Sequence, residues 1–163
     1  MMNSIFIALG SNLGDRENNI KNSLRLLRDK CKIVKKSSLY ETEPVGLKNQ
    51  DWFLNAVVEV ETELNPKELL DFLLSIEKKL GRVRTVKNGS REIDLDILFY
   101  GSEIVDDGNL QIPHPRLQQR RFVLEPLKDI NSEKVHPVLN KSVSELYNSL
   151  KNQEVVNLYK KTF

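Results

Sequence analysis

The sequence has 163 residues, 39% of them hydrophobic and 29% charged, and its 25 basic and 23 acidic residues leave a net charge of +2. This length fits one domain, and the composition excludes a fibrous or disordered chain. The near balance of charge argues against a nucleic-acid partner, because nucleic-acid binders usually carry a basic excess.

Cysteine content and the apolar runs limit the compartment. The single cysteine, Cys31, excludes an internal disulfide and a cysteine metal cluster. No run reaches the roughly 18 apolar residues that span a bilayer. The apolar start lacks a preceding basic region, which predicts a first strand and not a signal peptide. We expect a cytoplasmic protein without membrane or nucleic-acid contacts, either a monomer or a weak homodimer.

Strand and helix patterns alternate along most of the chain. The predicted elements are a strand at 4–9, a helix at 15–30, a strand at 32–41, a loop at 42–51, a strand at 52–63, a helix at 66–80 and a strand at 91–100. The second helix has the clearest boundaries, because Asn65, Pro66 and Glu68 form a typical capping start and Gly81 a typical end.

The strand at 52–63 alternates in polarity, with Leu54 and Ala56 facing one way and Phe53 and Asn55 the other. This pattern predicts a half-buried strand. Downstream of residue 100, we predict a turn at 106–108, an irregular proline-rich stretch at 113–115, and short helices at 121–128 and 143–151.

The element order βαββαβ predicts an α+β fold with a ferredoxin-like core, in which both helices pack on one face of an antiparallel sheet. The other face is then available to a ligand, and the extra C-terminal helices are placed to wall it in.

The strongest local signal is the pair Asp94 and Asp96. Residues i and i+2 of a strand share a face, roughly 6–7 Å apart, while Ile93, Leu95, Ile97 and Phe99 are expected on the opposite face. Two adjacent carboxylates favour a compensating cation, and Mg²⁺ binds one or two carboxylates together with phosphates. The pair alone is also compatible with two solvated acids, a nuclease or a glycosyl transferase.

Basic residues flank this pair: Arg82, Arg84, Lys87, Arg91, Arg120 and Arg121. Guanidinium groups bind phosphate oxygens and stabilise charge during phosphoryl transfer. Any one of them alone is more simply explained as a solvated loop residue, and the clustering is what favours phosphate chemistry.

Two weaker signals lie elsewhere. Phe53 and Asn55 share a strand face and are suited to stack on and hydrogen-bond a flat heterocycle, although spacing alone favours a core Phe and an edge Asn. His114 lies between two prolines that restrict the backbone. It is therefore either a phosphate-binding residue or a structural histidine. His136 is predicted to be structural. The sequence lacks both the GxxxxGK[ST] and GxGxxG phosphate-binding patterns.

Several ordered motifs resemble one family. Residues 87–98 (KNGSREIDLDIL) resemble the signature of 6-hydroxymethyl-7,8-dihydropterin pyrophosphokinases. Further motifs are similar to that family's: 8–14 (ALGSNLG), 40–46 (YETEPVG), 53–56 (FLNA), 81–84 (GRVR), 112–116 (IPHPR) and 120–122 (RRF). The resemblance extends from about residue 5 to 127.

The resemblance implies a single pterin pyrophosphokinase domain over 1–163. It would transfer pyrophosphate from ATP to the hydroxymethyl group of the dihydropterin, yielding AMP and the pterin diphosphate for folate synthesis. Two Mg²⁺ ions would act as cofactor, with ATP and the dihydropterin alcohol as small-molecule substrates.

The resemblance also implies residue roles. The catalytic residues would be Arg82, Arg91, Asp94 and Asp96, of which Asp94 and Asp96 would hold the metal. ATP contacts would come from Glu77, Arg84, Lys87, Ile97, His114 and Arg120. The pterin site would comprise Thr42, Pro44, Val45, Phe53, Asn55 and Phe122. The chain departs from the family pattern at Asn88, Asn109, Gln111 and Pro115, on the nucleotide side.

Two other functions compete with this interpretation. One is a ferredoxin-like module that binds a nucleotide as a regulatory ligand, which rarely needs paired aspartates. The other is a metal-dependent nuclease, which the near-neutral charge disfavours because its substrate is a polyanion.

Overall fold

The computed structural model describes residues 3–44, 49–81, 92–152 and 154–163. The strands are β1 (Asn3–Ser11), β2 (Lys32–Lys36), β3 (Leu39–Thr42), β4 (Phe53–Thr62), β5 (Asp94–Tyr100), β6 (Val105–Asp107), β7 (Leu110–Ile112) and β8 (Val156–Lys160). The helices are α1 (Arg16–Leu27), α2 (Pro66–Lys79), α3 (Arg121–Asn131) and α4 (Val143–Asn148), with a 3₁₀ turn at Leu117–Gln119. Among these helices, none combines the length and apolar character that crossing a membrane requires.

The main sheet has the strand order β5-β1-β4-β3-β8, and β2 pairs with β4 beside β3. All of these pairings are antiparallel. β1 and β4 lie at the centre, so residues on β1 have neighbours on both β4 and β5. This order confirms the predicted ferredoxin-like α+β fold.

Helices α1 and α2 cover one face of the sheet, as predicted. Ile5, Ile7 and Leu9 of β1 are buried beneath them together with Leu73 and Ile76 of α2. The start of α2 has the expected capping box, in which Asn65 Oδ1 accepts the Glu68 N–H and Glu68 Oε1 accepts the Asn65 N–H, both at 2.9 Å. Gly81 follows α2 with φ of +89°, a left-handed conformation that suits glycine at a helix end.

Helices α3 and α4 cover much of the opposite face, which is therefore only partly available to a ligand. Phe6 and Phe99 pack edge to face there, with ring centroids 6.1 Å apart, beneath Leu124 and Leu127 of α3. Val57 is fully buried in the same cluster. The prediction that the strand at 52–63 is half-buried was wrong over this part, because α3 packs on its second face.

The predicted strand at 32–41 is two strands, β2 and β3, which both pair with β4. Ser37 separates them: its N–H donates to the Val57 carbonyl at 2.9 Å, and its hydroxyl accepts the Val57 N–H at 2.9 Å. A side-chain acceptor thus replaces a backbone carbonyl, which interrupts the regular ladder.

The C-terminal third contains strands that the sequence patterns did not predict. The turn predicted at 106–108 is the tip of the β6–β7 hairpin. Strand β8 adds to the outer edge of β3. The two predicted helices are present, although α3 is longer and α4 shorter than expected.

The covering of the second face predicts that Leu127→Ala destabilises the protein by about 2–5 kcal/mol, because a fully buried leucine side chain is deleted from a packed core. Leu74→Ala on α2 is the matched control, since Leu74 is 41% exposed and its loss should change the free energy of unfolding by no more than about 0.5 kcal/mol. Urea unfolding measures both. Equal effects of the two substitutions would contradict the packing of α3 on the sheet.

Candidate functional site

A pocket lies on the second face of the sheet, beside the start of α3. It encloses about 710 Å³ of space that is continuous with solvent. Its lining includes the predicted pterin residues Thr42, Phe53, Asn55 and Phe122. The predicted metal and nucleotide residues Asp94, Asp96, His114 and Arg120 also line it. The structure therefore brings together eight side chains selected from the sequence.

The register of the central strands explains how the two groups meet. Gly10 of β1 pairs with Asn55 of β4 on one side and with Asp94 of β5 on the other. Asn55 and Asp94 are thus two strand spacings apart, roughly 10 Å. Two residues earlier in β1, Ala8 points to the same face of the sheet and pairs with Asp96 of β5. Ala8 and Gly10 therefore form the floor of the pocket. The Asn55 amide lies on one side of this floor, and the two aspartates lie on the other.

Gly10 is required for the close approach of Asn55. A Cβ atom at position 10 would lie 2.7 Å from Asn55 Oδ1 and 3.5 Å from Phe53 Cδ1. Asn55 has little room to move away, because its Nδ2 donates to Thr42 Oγ1 at 2.6 Å and both side chains are buried. The amide is therefore held in one orientation.

Ala8, Gly10 and Glu43 also line the pocket, although the sequence motifs that contain them predicted no role for them. The sequence feature that could have identified Ala8 and Gly10 as lining residues is their alternation with the buried Ile7 and Leu9. That signal becomes informative only once the neighbouring strands are known.

A β-bulge in β5 separates the pocket from the core beneath α3. Phe6 pairs with Phe99 and Ile7 with Ile97, so Leu98 is the extra residue. The prediction that Phe99 shares a face with Leu95 and Ile97 was therefore wrong, since the bulge moves Phe99 to the second face.

The bulge also positions His114. The Leu98 carbonyl accepts the His114 backbone N–H at 3.0 Å, and the imidazole lines the pocket that Asp94 lines. His114 Nδ1 accepts the Arg116 N–H at 3.2 Å. Burial lowers the His114 pKa to about 4, with Arg120 adding to the shift and Asp94 opposing it. The ring is neutral at pH 7, and its Nε2–H is left as a donor for an anionic ligand.

Arg120 supplies positive charge to the pocket. Its guanidinium carbon lies 5.5 Å from the centroid of the Phe122 ring. Burial lowers the pKa of Arg120, whereas Asp96, Asp94 and Glu154 act in the opposite direction. An arginine stays protonated under such conditions, so a partly buried cation faces the two aspartates.

The donor chemistry of the aspartate wall fits a hard divalent cation. Asp94 and Asp96 share the pocket face of β5, while Ile93, Leu95 and Ile97 pack beneath α1 and α2 as predicted. Within the described residues, no group of three or more His, Cys, Asp or Glu side chains is placed to hold a metal. Two carboxylates suffice for Mg²⁺, which takes its remaining ligands from water and phosphates.

Other predicted residues lie outside the pocket lining. Glu77 is buried, and its Oε2 accepts the Leu95 N–H at 2.8 Å, which ties α2 to the start of β5. Ile97 is in the core beneath the helices, and Pro44 is buried next to the lining residue Glu43. Their predicted ATP and pterin contacts stay predictions.

Of the remaining predicted residues, Arg121 lies away from the pocket lining and five others are outside the described part of the chain. Arg121 is directed to the C-terminal segment, since its guanidinium donates to the Asn152 carbonyl at 3.3 Å and lies 5.3 Å from the Tyr147 ring centroid. Outside the described residues lie Val45, Arg82, Arg84, Lys87 and Arg91.

Comparison with known proteins identifies the family. The family model of 7,8-dihydro-6-hydroxymethylpterin-pyrophosphokinase matches residues 6–132. The Bacillus subtilis 2-amino-4-hydroxy-6-hydroxymethyldihydropteridine pyrophosphokinase is 48% identical over 132 residues, which cover 80% of this chain and 79% of that protein. The Aquifex aeolicus protein of the same name is 40% identical over 144 residues, covering 88% and 90%.

Some relatives are much longer. The Pneumocystis carinii folic acid synthesis protein fol1 is 44% identical over 153 residues, and this chain spans 21% of its length. The crystal structure of Plasmodium falciparum wild-type HPPK-DHPS with pterin and p-hydroxybenzoate superposes with a TM-score of 0.73 at 21% identity, covering 91% of this chain and 42% of that one. At this identity the superposition supports the fold alone.

The sequence motifs, the family match and the two bacterial relatives of similar length agree. The chain belongs to the 7,8-dihydro-6-hydroxymethylpterin-pyrophosphokinase family, whose members are ATP-dependent diphosphotransferases of folate synthesis.

Proposed function

We propose that this chain, as a single domain over 1–163, transfers the pyrophosphoryl group of ATP to the hydroxymethyl group of 6-hydroxymethyl-7,8-dihydropterin. The observation that carries the proposal is the placement of Asn55 and Asp94 on either side of Gly10, in one pocket. The Asn55 amide is suited to bind the edge of a heterocycle, and the Asp94 carboxylate is suited to bind a metal–phosphate complex. The two substrates would then meet between these side chains.

The pterin would bind among Thr42, Phe53, Asn55 and Phe122. Phe53 and Phe122 line the pocket together and are proposed to sandwich the flat ring, a contact that offset stacking stabilises. The Asn55 carboxamide would hydrogen-bond the ring edge. Its fixed orientation, set by the 2.6 Å bond to Thr42, limits the entropy lost on binding. The predicted pterin contacts of Pro44 and Val45 are retained in the proposal.

The triphosphate would lie on the opposite side, against Asp94, Asp96, His114 and Arg120. Two Mg²⁺ ions bound at the aspartates would neutralise phosphate charge and stabilise the attacking and leaving oxygens. The neutral His114 can donate its Nε2–H to a phosphate oxygen, and Arg120 can make charge-assisted contacts. Catalytic roles for Arg82 and Arg91, and ATP contacts from Glu77, Arg84, Lys87 and Ile97, rest on the family resemblance.

In the proposed reaction, the pterin hydroxyl oxygen forms a bond to the β-phosphorus of ATP. The bond between the β-phosphorus and the oxygen that bridges it to the α-phosphorus breaks, so AMP leaves and the hydroxyl proton is lost to solvent. The walls of the pocket contribute by holding the two substrates in line, which replaces a bimolecular encounter by an oriented one. The chain is further proposed to act in the cytoplasm as a monomer or weak homodimer.

The product nucleotide tests this function. Incubation with Mg²⁺, ATP and the hydroxymethyl dihydropterin should yield AMP and pterin diphosphate in equal amounts, measured by chromatography, and EDTA should stop the reaction. ADP as the product would contradict pyrophosphoryl transfer. Binding of ATP without any turnover would instead support a regulatory nucleotide module.

Asp96→Asn should lower kcat by about 10²–10⁴-fold, because metal stabilisation of the transition state is worth several kcal/mol and each ~1.4 kcal/mol is tenfold in rate. The metal-free melting temperature should change by about 3 °C or less, since the side chain faces the pocket. Asp106→Asn is the control: it removes the same charge from an exposed position on β6 and should leave kcat unchanged. Wild-type kcat in Asp96→Asn would refute the metal assignment.

A further inference from the structure

Helix α3, which brings Arg120 and Phe122 to the pocket, begins without a cap of its own. Its N-cap residue is Arg120, whose side chain makes no capping hydrogen bond. The first helical N–H, that of Arg121, is accepted instead by Glu154 Oε1 at 3.0 Å, from a residue 33 positions further along the chain. A carboxylate at this point also interacts favourably with the helix dipole.

Neighbouring residues of the same segment hold the turn before α3. Asn152 Nδ2 donates to the Gln119 carbonyl at 2.8 Å, and the Arg121 guanidinium donates to the Asn152 carbonyl at 3.3 Å. The carboxylate of Glu154 also acts on Arg120, whose positive charge it favours. The start of α3 is thus bound through side chains and backbone together.

The same segment is also bound to the Thr42 side of the pocket. The Val155 N–H donates to Glu43 Oε1 at 3.0 Å, and the Glu43 N–H donates to the Val155 carbonyl at 3.3 Å. Directly after Val155, strand β8 pairs with β3, placing Val156 opposite Thr42. Thr42 and Glu43 both line the pocket.

We propose that Asn152, Glu154 and Val155 form a C-terminal clasp, and that Glu154 is a positioning residue that sets the distance between the Thr42 side of the pocket and Phe122. The clasp lies beyond residue 132, where the family match ends. It connects the Thr42 side of the pocket to Phe122 without touching the proposed substrate, and it rests on the proposed function. Release of Glu154 would free the first turn of α3 and widen the space between Phe53 and Phe122.

The test compares Glu154→Ala and Glu154→Gln. Alanine removes the acceptor, so binding of the dihydropterin would itself have to order the start of α3. The KM for the dihydropterin should therefore rise about tenfold, which corresponds to the free energy of one hydrogen bond to a charged group. The value of kcat should stay within about twofold, because Asp94, Asp96 and His114 lie outside α3 and Arg120 stays protonated without Glu154. Glutamine retains an acceptor oxygen and should restore KM to within about twofold of wild type, and it also keeps the test possible if the alanine variant fails to fold.

Glu68→Ala is the matched control. Glu68 caps α2 by accepting the Asn65 N–H at 2.9 Å, so its loss removes a comparable helix-capping bond on the face of the sheet away from the pocket. It should lower the melting temperature as Glu154→Ala does and leave the dihydropterin KM unchanged. Equal KM values in Glu154→Ala and Glu68→Ala would overturn the positioning role and reduce Glu154 to a helix cap.

Amide hydrogen exchange, followed by NMR, separates the clasp from the proposed reaction. The Arg121 N–H should exchange about tenfold faster in Glu154→Ala than in the wild-type protein, irrespective of any turnover. Unchanged exchange would contradict the clasp. Accelerated exchange in a protein that forms no AMP would contradict the proposed function and uphold the contact between Glu154 and α3.

Discussion

The pocket depends on one close approach at the centre of the sheet, between the backbone of Gly10 and the carboxamide of Asn55. A Cβ atom at position 10 would lie 2.7 Å from Asn55 Oδ1, and the amide is held from its other end by Thr42. Because Asp94 pairs with the opposite side of Gly10, the same glycine provides the space between amide and carboxylate. A side chain there would displace Asn55 or fill the volume that the two substrates are proposed to share.

A second constraint divides that sheet face into a packed half and an open half. Phe6 anchors the packed half against Phe99, whereas Ala8 and Gly10 leave the other half concave. The bulge at Leu98 makes this division possible, since its carbonyl holds the His114 backbone beside the aspartates. Large residues at one end of β1 and small residues at the other therefore produce a packed layer and a pocket on the same surface.

Much of this architecture follows from local patterns. Apolar periodicity and the Asn65 cap predicted α1 and α2, and alternation predicted β4 and the aspartate face of β5. Strand β8 was missed because it is an edge strand: Leu158 is 52% exposed, so no buried alternation marks it. The sheet face predicted for Phe99 was wrong because a β-bulge breaks the two-residue alternation of side chains. A bulge depends on the pairing with the partner strand, which the local sequence does not show.

The candidate site shows the same division between local and long-range information. The aspartate pair is visible in three consecutive residues, whereas Phe53 and Asn55 looked like ordinary strand residues when only their spacing was considered. Their place in the site depends on which strands are neighbours. The importance of Gly10 and of Glu154 depends wholly on contacts made across the fold, at sequence separations that no local pattern reports.

The central claim is that Asp94 and Asp96 hold the metal ions that both substrates share. Crystals grown with Mn²⁺ in place of Mg²⁺, a non-hydrolysable α,β-methylene ATP analogue and the dihydropterin would locate the ions by anomalous scattering. We expect two anomalous peaks about 2.1 Å from the carboxylate oxygens of Asp94 and Asp96, between the phosphates and the pterin hydroxyl. Peaks bound to the phosphates but out of reach of both carboxylates would contradict the account.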